Sequence, residues 1–579
     1  MKEQIEKLIN EALKNLGIED VSFSVEHPED FKNGDYSTNV AMVCAKQQKT
    51  NPRELAEKMA LELKGLPKQG FGDIEKIETA GAGFINFYLS REFFTESVSE
   101  ILDKGDKWGK NKILEGKKVM VEYTDPNPFK PFHIGHLMAN AIGESVSRIV
   151  EFSGAKTIRA NYQGDVGPHV AKAIYHLIKL GYPTTDNGLS YLALSLAIGD
   201  SYAQGNNEYE INDEAKKEIE SINKQIYNYI NKSGECDEKI KEYYDWGRKA
   251  TLEAFEEIYK LLGTKFDYYF FESVMAPIGE KIVRENVGKI FEESDRAIIF
   301  HGENYDKKLH TRVFINSQGL PTYETKEIGL TTTKFEKENP DISIVTTAIE
   351  QAEYMKVVQK AISLMHPDLE SRMKHITHGM MRLSTGKMSS RKGNVITGES
   401  LLRDSMDIVF EKVKDRELSN EEKKRISQIV GVAALKYSIL RSSLGSDIVY
   451  DFEKSISFDG DSGPYLQYTA VRANSILAKS QMSRQGLDNG EIPENIIDLE
   501  KLLYQFPEVV ERSYSLLEPH HIATYLTELA SSFNTFYGNT QILVDENKYM
   551  AYHLNLIKAF VQTMKNGLWL LGIEVPDRM

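Results

Sequence analysis

Residues 119–143 read VMVEYTDPNPFKPFHIGHLMANAIG, and this stretch decides the fold. Val119 to Thr124 have the pattern of a strand, and three prolines then force an extended loop. A helix begins near Gly135, with apolar residues at about helical spacing, and a second strand follows from Thr157 to Tyr162. Strand, loop, helix and strand in this order predict an α/β domain with a Rossmann-like, doubly wound parallel sheet.

Two histidines stand where such a sheet binds ligands. In open α/β sheets, ligands bind where strand ends meet helix N-termini, whose N–H groups and dipole favour phosphate. His133 and His136 could donate hydrogen bonds to phosphate oxygens as charge builds on them, and Gly135 would let a nucleotide approach the backbone. The spacing also suits a metal, but no third ligand is evident nearby. A structural histidine pair at a helix start is the alternative; the strand and proline loop before it favour a phosphate site.

A second candidate region reverses the charge of the chain locally. The net charge is −15, yet residues 371–398 contain six Lys or Arg residues and no Asp or Glu. Lys387 lies between two glycines that permit a mobile loop, and mobile lysines suit a transient task such as stabilising a departing pyrophosphate. Met381 and Met388 occupy positions where a Walker A loop needs Gly and Ser or Thr. Taken alone, the segment would be a solvated basic loop.

Composition and charge limit the other possibilities. The 579 residues suggest three or four domains, and 41% hydrophobic with 27% charged residues is ordinary for a globular protein. The negative net charge means that a polyanion would need local basic patches. No apolar run approaches the roughly 18 residues of a membrane span, and the N-terminus carries no signal-peptide core. Cys44 and Cys236 form no CxxC motif, so they predict neither a disulfide nor a zinc site and favour a reducing, cytoplasmic compartment.

Three domains are predicted from changes of pattern along the chain. Residues 1–108 mix helical and strand patterns, as an α+β domain does, and end in a polar stretch rich in Lys and Gly. Residues 109–398 form the α/β domain, with a helical insertion at about 190–290. Residues 399–579 have helical patterns only, which predicts an all-α C-terminal domain.

Two local predictions belong to these domains. Strands at Arg312–Asn316 and Ile342–Thr347 are expected to resume the parallel sheet after the insertion. His520 and His521, which follow Pro519, predict a helix start rather than a ligand pair.

The two chemical segments together resemble the signatures of a known enzyme class. The sequence His133-Ile134-Gly135-His136, followed about 250 residues later by Lys387-Met388-Ser389, resembles the paired motifs of class I aminoacyl-tRNA synthetases. The rest of the chain resembles the arginyl-tRNA synthetase family over nearly its full length. The segments that carry this likeness are GDYSTN at 34–39, GAGFINF at 81–87, SGPYLQY at 462–468 and the run from Asn566 to Met579.

The resemblance implies a function, partners and cofactors. It implies an arginine–tRNA ligase that uses ATP to activate L-arginine as arginyl-adenylate and transfers the arginyl group to the 3′-terminal adenosine of tRNA(Arg). Residues 1–108 would bind the tRNA elbow, residues 109–398 would carry catalysis and residues 399–579 would bind the anticodon. Mg²⁺ is expected with ATP, although the sequence shows no dedicated site for it or for another metal. We expect a cytoplasmic monomer that activates arginine only with tRNA bound.

Three departures from the family pattern bear on the site. Ser390 replaces the second lysine of the usual KMSKS motif, and the resemblance implies that Lys130, just before the HIGH motif, could supply that charge. Residues 547–550 do not spell the usual DALR. Glu327 stands where many members carry Asp, which keeps the charge and lengthens the arm.

Residue roles follow from the matching positions. The resemblance implies the catalytic residues His133, His136, Lys130 and Lys387 and the ATP-binding residues Gly135, His136, Met381, Met388 and Ser389. A guanidinium needs a carboxylate in paired geometry, neutral acceptors and an aromatic wall, and Tyr323 and Glu327 are spaced to share one helix face. The resemblance places Tyr323, Glu327 and Gln351 around the guanidinium, and Glu122 and Asn127 at the α-amino group.

Four further positions match tRNA contacts of the family. Phe84 and Asn86 match the elbow site, where an aromatic ring and an amide could read an unpaired base, although Phe84 could equally be a core residue. Tyr465 and Arg472 could reach anticodon bases by stacking and charge.

Three alternatives stay open from the sequence: a synthetase for lysine, a nucleotidylyltransferase with HIGH-like histidines, and a synthetase-like tRNA-binding protein without activity.

Overall fold

The structure, a computed structural model, describes residues 1–66, 72–185, 188–384, 397–483, 491–544 and 546–579. The chain forms two compact units, each built from segments that are distant in sequence. The first unit contains residues 1–108, 472–507 and 528–564. The second unit contains residues 109–471, 508–527 and 565–579.

The N-terminal part of the first unit is a small antiparallel sheet with helices. Its elements are α1 (Lys2–Asn15), β1 (Val25–Glu26), β2 (Tyr36–Thr38), α2 (Val40–Gln48), α3 (Pro52–Gly65), β3 (Ile74–Ala80), β4 (Phe84–Leu89) and α4 (Arg91–Lys104). The strands pair in the order β1-β2-β4-β3. One face of α1, which begins at Lys2, is buried at helical spacing from Ile5 to Leu13, as the sequence pattern indicates.

The strands of the second unit belong to several sheets. They are β5 (Lys118–Glu122), β6 (Lys156–Gln163), β7 (Tyr268–Phe271), β8 (Glu292–Ser294), β9 (Ala297–His301), β10 (Thr311–Ile315), β11 (Ile342–Ala348), β12 (Met373–His378), β13 (Met381–Leu383) and β14 (Ile448–Tyr450). Five of them form the central sheet, in the order β12-β11-β5-β6-β7, and every pairing in it is parallel. The predicted doubly wound parallel sheet is confirmed, and β5, from the opening stretch, is its middle strand.

The other regular elements from residue 134 onward are mainly α-helices. They are α5 (Ile134–Phe152), α6 (Pro168–Leu180), α7 (Tyr191–Ile211), α8 (Asp213–Asn231), α9 (Glu238–Leu262), α10 (Glu272–Glu285), α11 (Tyr323–Glu338), α12 (Ala352–Met365), α13 (Gly398–Val413), α14 (Asn420–Leu440), α15 (Phe452–Ser455), α16 (Gly463–Ser483), α17 (Asp498–Leu503), α18 (Phe506–Leu516), α19 (His520–Asn539) and α20 (Met550–Leu570). In the described part of the chain, none of them is long and apolar enough to cross a membrane.

The structure differs from the sequence patterns at three places. The strand expected at Arg312–Asn316 does not join the parallel sheet: β10 pairs antiparallel with β9 in a separate sheet, β10-β9-β8, because its nearest partner along the chain is a hairpin neighbour. The helices of the insertion end at Leu262, and Tyr268–Phe271 then forms the edge strand β7 of the main sheet. The C-terminal stretch also contains one short strand, β14, which pairs with β13.

Candidate active site

A cavity of about 400 Å³ opens at the C-terminal edge of the central sheet, beyond the ends of β5 and β11. It is where an open α/β sheet is expected to bind ligands. Eight of the predicted site residues line it together: Glu122, Asn127, His133, Gly135, His136, Tyr323, Glu327 and Gln351. Residues separated by more than two hundred positions in sequence therefore face one another across a single cavity.

The histidine pair forms the start of helix α5. His133 is the N-cap of the helix, in extended conformation, and its backbone N–H donates to Nδ1 of His136 at 3.2 Å. The two rings stack with centroids 3.5 Å apart. Because Nδ1 of His136 accepts a hydrogen bond, a neutral His136 carries its proton on Nε2. This arrangement fixes the tautomer and the direction of the ring.

Burial keeps both imidazoles neutral. It lowers the pKa of His133 to about 4, with the positive charge of Lys130 adding to the effect. Burial and the neighbouring His133 lower the pKa of His136 well below its usual value. Both rings are therefore hydrogen-bond donors without a charge at pH 7, and positive charge for a phosphate must come from elsewhere.

Lys130 lies in the proline loop before the histidines and contributes charge from nearby. Its Nζ is 5.3 Å from the ring centroid of Tyr202, and it does not line the cavity. Its backbone N–H donates to the carbonyl of Asn127 at 3.1 Å, and the side-chain Oδ1 of Asn127 accepts the backbone N–H of Gly164 at 3.2 Å. Phe129, between them, has a φ of 67°. The loop is thus a tight turn held by Asn127.

Three carboxylates gather at the floor of the cavity near one lysine, and those of Glu122 and Glu327 are buried. Glu122 ends β5, and its carboxylate lies 2.5 Å from Nζ of Lys334. Asp125 accepts the backbone N–H of Tyr162 at 2.7 Å, and Glu327 projects from α11. In the described part of the chain, Lys334 pairs with Glu122, and no lysine or arginine forms an ion pair with Asp125 or Glu327.

The crowding of these carboxylates shows in their protonation. Burial raises the pKa of Glu327 to about 7, and the charge of Glu122 adds to the increase. Burial and Glu122 also raise the pKa of Asp125 well above its usual value. The floor therefore holds more negative groups than Lys334 can neutralise, and a cationic ligand would relieve the imbalance.

Other cavity residues were not found from the sequence. Glu272 begins α10 and forms a buried ion pair with Lys326 at 2.5 Å, and Glu324 pairs with Arg312 at 3.3 Å. Tyr162, Tyr354 and His378 are also among the polar residues that the sequence did not indicate. Glu272 follows directly after β7, so recognising Tyr268–Phe271 as a sheet strand would have pointed to it.

Tyr323 and Glu327 both line the cavity from one face of α11, as their spacing predicts. Nζ of Lys326 lies 5.1 Å from the ring centroid of Tyr323. Gln351 lies in the short turn after β11, and its Oε1 is 3.5 Å from the hydroxyl of Tyr354. The aromatic, amide and carboxylate groups expected around a guanidinium are thus present in one place.

For the basic segment around Lys387, the structure describes the residues on either side. Lys387, Met388 and Ser389 lie outside the described residues. On the far side of the loop, Thr397 forms a β-bridge with His133, and the backbone N–H of Gly398 donates to the carbonyl of Phe132 at 2.7 Å. The chain therefore re-enters the described structure beside the histidine pair.

Met381, on the other flank, lies in β13. It pairs with Ile448 of β14, and it is not among the residues that line the cavity. The ATP-binding role predicted for Met381 therefore has no support from its position.

The predicted elbow residues differ in exposure. Phe84 is 41% exposed at the start of β4, so the alternative of a core residue is wrong. Asn86 is only 3% exposed, and its Oδ1 accepts the hydroxyl of Ser37 at 2.7 Å. Asn86 links β2 to β4, a position that does not favour direct contact with a base.

The predicted anticodon residues are both half-buried on α16. The backbone N–H of Tyr465 donates to Oγ of Ser462 at 3.1 Å, in the first turn of the helix. Arg472 donates to Oδ1 of Asn534 at 3.1 Å. Both residues keep some exposure, and the Arg472 side chain is held by Asn534.

Family models match three consecutive parts of the chain. Residues 97–452 match the model "tRNA synthetases class I (R), catalytic domain", residues 3–89 match "Arginyl tRNA synthetase N terminal domain", and residues 466–579 match "DALR anticodon binding domain". The parallel sheet and the histidine pair at its C-terminal edge are thus those of a class I aminoacyl-tRNA synthetase. Enzymes of this class use ATP.

Relatives in sequence identify the member of the class, and a solved structure supports the fold. The chain is 31% identical to the arginine–tRNA ligase of Halothermothrix orenii, over 100% of this chain and 99% of the relative. It is 32% identical to that of Fusobacterium nucleatum, over 99% and 98%. The Thermus thermophilus arginyl-tRNA synthetase structure covers both chains fully, with a TM-score of 0.81 and 22% identity.

The chain belongs to the arginyl-tRNA synthetases. Its activity is that of an arginine–tRNA ligase, and its substrates are arginine, ATP and tRNA(Arg). Matches that extend over the full length exclude the alternatives of a lysine-specific synthetase and of a shorter nucleotidylyltransferase.

Proposed function

We propose that the cavity holds arginine by charge and activates it as arginyl-adenylate. The observation that carries this proposal is the surplus of negative charge on the cavity floor, beside a neutral histidine pair at a helix N-terminus. Glu122, Asp125 and Glu327 face one lysine, so two carboxylates lack a counter-charge from the described residues. Arginine supplies two cations, its α-ammonium and its guanidinium, and so matches the deficit.

Each end of the substrate has its own set of groups. Glu327 would pair with the guanidinium, Tyr323 would form an aromatic wall and Gln351 would accept a guanidinium N–H. Asn127 and Glu122 would hold the α-ammonium. The ion pair of Glu122 with Lys334 leaves this carboxylate only partly available, and Asp125 is positioned to share its role.

In the first step, the carboxylate of arginine attacks the α-phosphate of ATP and pyrophosphate leaves. Nε2–H of His136 and the His133 ring would donate to the phosphate oxygens, and Gly135 would allow close approach of the nucleotide. Lys130 would supply the positive charge that the neutral histidines lack, together with Lys387 from the basic loop. Catalysis then consists mainly of positioning and charge stabilisation.

In the second step, a ribose hydroxyl of the terminal adenosine of the tRNA attacks the adenylate; the class implies the 2′-OH. Mg²⁺ would enter with ATP. The described cavity carboxylates are paired with lysine or arginine or lie close to one another, and no three of them have the ligand spacing of a metal site, so phosphates and water would hold the ion. No residue of this chain is assigned to it.

The state of the protein in the cell is part of the proposal. Cys44 and Cys236 are free thiols, as expected in a reducing compartment, which supports a cytoplasmic location. We also expect a monomer, since the cavity that would hold arginine is lined at both ends by residues of one chain and needs none from a partner.

The test of the proposed guanidinium site is Glu327→Gln. This change removes one charge-assisted pair worth about 1.5–3 kcal/mol, so the arginine KM in aminoacylation should rise about 10- to 150-fold. Glu336→Gln, at an exposed position of the same helix, is the matched control and should leave KM unchanged. An unaltered arginine KM in Glu327→Gln would remove this residue from the pocket.

A further inference from the structure

A second cluster of chemically reactive side chains lies away from the cavity. Within the described ranges, one group of three histidine or carboxylate side chains brings its ligand atoms within 4.8 Å of one another, and it consists of Glu518, His520 and His521. These residues belong to the second unit, at the turn between α18 and α19, and none of them lines the cavity. The function described above does not use them.

The backbone of this turn fixes all three positions. The backbone N–H of Glu518 donates to the carbonyl of Ser513 at 3.0 Å, and the buried hydroxyl of Ser513 donates to the carbonyl of Glu518 at 2.7 Å. On the other side, the carbonyl of Pro519 accepts the backbone N–H groups of Ile522 and Ala523, which are fully buried. Helix α19 begins at His520, as predicted, so both histidines follow a fixed start.

The three ligand atoms are spaced as a metal would hold them. Oε2 of Glu518 lies 3.6 Å from Nδ1 of His520 and 3.3 Å from Nε2 of His521. Bonds of about 2.0–2.1 Å in a tetrahedral zinc site place neighbouring ligand atoms roughly 3.4 Å apart. The two oxygen–nitrogen distances match this spacing, and the two nitrogens lie within 4.8 Å of one another.

Both ring nitrogens also face the same carboxylate. Nδ1 of His520 and Nε2 of His521 are buried atoms, and the carboxylate of Glu518 is the polar group beside both of them. Buried polar atoms are nearly always partnered, so two such nitrogens facing one carboxylate favour a ligand that all three share. One proton could bridge one nitrogen to the carboxylate, whereas one metal ion satisfies all three atoms.

We propose that Glu518, His520 and His521 bind one divalent transition-metal ion, with zinc as the best-matched metal. Two neutral imidazoles and a carboxylate are the ligands of many zinc sites, and water would complete the coordination. The dipole of α19 opposes a cation at its N-terminus, and the carboxylate of Glu518 offsets it. The bound ion would join α18 to α19 across their turn.

This proposal revises what the sequence indicates for these residues. The histidine pair predicts only a helix start, since adjacent histidines on a helix usually point in different directions. The third ligand precedes the helix, so no regular helical spacing connects it to the pair. Only the folded turn brings the three side chains together.

The experiment is titration of the full-length protein with Co²⁺, which reports on a tetrahedral site through its visible absorption, followed by displacement with Zn²⁺. We expect one Co²⁺ per chain at this site. Glu518→Gln and the double change His520→Asn with His521→Gln should each weaken binding by more than the roughly tenfold that loss of a supporting group costs. His366→Ala removes an exposed histidine after α12 and should bind as the unmodified protein does.

Each outcome decides the proposal. Absence of Co²⁺ and Zn²⁺ binding by the unmodified protein overturns it, as does equal binding by the variants with altered ligands. Circular dichroism of each variant tests whether it is folded. If the double variant is unstable, Glu518→Gln still tests the site, because it keeps the size of a partly exposed side chain. The readout is metal binding, so loss of aminoacylation through the cavity would not affect the result.

Discussion

At the scale of single residues, Glu327 combines burial with a functional need for charge. In the proposed function its carboxylate is ionised when it holds a guanidinium, yet burial and Glu122 raise its pKa to about 7. A group with this pKa is about half protonated at neutral pH when no cation is bound. Arginine can bind tightly only to the ionised form, so binding expels a proton.

This gives a pH prediction for substrate binding. Because the pKa of Glu327 is raised, the protonated, weakly binding form dominates below pH 7 and disappears above it. The arginine KM should fall about tenfold between pH 6 and pH 8. Steady-state aminoacylation across this range checks it, and Glu327→Gln should lose the dependence; the same slope in that variant would assign the titration to another group.

Lys130 is the second residue whose charge matters more than its contacts. The two histidines are neutral, so Lys130 is the described cation whose charge acts on both of them. We expect Lys130→Met to lower kcat for arginine activation by about 10- to 100-fold, with little change in tRNA binding. Lys289→Met, at an exposed position in the second unit, is the control. A kcat near that of the unmodified protein would transfer the role to the basic loop.

At the scale of elements, one buried lysine joins three segments of the second unit. Nζ of Lys436, on α14, donates to the carbonyl of Leu262 at the end of α9 at 2.6 Å and to that of Gly572 at 2.7 Å. Burial lowers the pKa of Lys436 to about 7. The side-chain nitrogen of Lys436 thus links the end of α9 to the segment after α20.

Loss of that donor should be costly. Lys436→Met would remove the donor from the buried carbonyl of Leu262 and the partly buried carbonyl of Gly572, and we expect the free energy of unfolding to fall by about 1–3 kcal/mol. Urea unfolding followed by circular dichroism measures it. Lys424→Met, an exposed position on the same helix, should have no effect. Equal free energies of unfolding for the two variants would mean that water satisfies the two carbonyls when the lysine is absent.

Helix α5 shows how an element serves both the site and the fold. Its first turn carries the histidine pair, and its later part binds the C-terminal segment, with Oγ of Ser145 donating to the carbonyl of Leu570 at 2.8 Å. Arg148 donates to the carbonyl of Trp569 at 3.0 Å. The helix that begins with the histidine pair is therefore anchored by residues from the C-terminal end of the sequence.

At the scale of the whole molecule, the first unit joins the N-terminal domain to helices from the C-terminal part of the chain. Tyr504, just after α17, is buried in the same core as Tyr36 and Phe94 and stacks edge-on against Phe94 at 5.5 Å. Arg91 of α4 forms a bidentate ion pair with the buried Glu500. Both contacts connect segments about four hundred residues apart.

Tyr504→Ala should therefore weaken the whole first unit rather than one helix. Truncation of a buried aromatic costs about 3–5 kcal/mol, and Tyr504→Phe, which loses only the hydroxyl, should cost about 1 kcal/mol or less. Hydrogen exchange should show lower protection in β2 and β4 as well as in α17. Protection lost in α17 alone would mean that the two parts fold independently.

Much of the fold and part of the site were accessible from local sequence patterns. The strand, proline loop and HIGH helix occur within 25 consecutive residues, so their order alone predicted a parallel sheet. The spacing of Tyr323 and Glu327 predicted their shared face on α11 because helical periodicity is a local property. By contrast, β10 was assigned to the wrong sheet, since strand patterns do not encode which partner a strand chooses.

The charged and polar partners in the interior could not be predicted from local sequence patterns. Lys334 and Glu272 have no distinguishing motif, and their importance comes from the charges that surround them after folding. The same is true of Asn86, whose family match suggests a contact surface while its burial links two strands. Partners in an ion pair or a sheet are chosen across long sequence distances, which a linear pattern does not carry.

The sequence by itself predicted the parallel-sheet architecture and the helix start at the histidine pair from short-range order, and it predicted the class and the residues of the proposed arginine site through resemblance to known motifs. Only the tertiary structure decided the charge balance of the cavity floor, the neutral state of the histidines and the meeting of Glu518 with His520 and His521. The physical reason is that burial and charge–charge interactions depend on three-dimensional proximity, and this proximity exists only after the chain has folded.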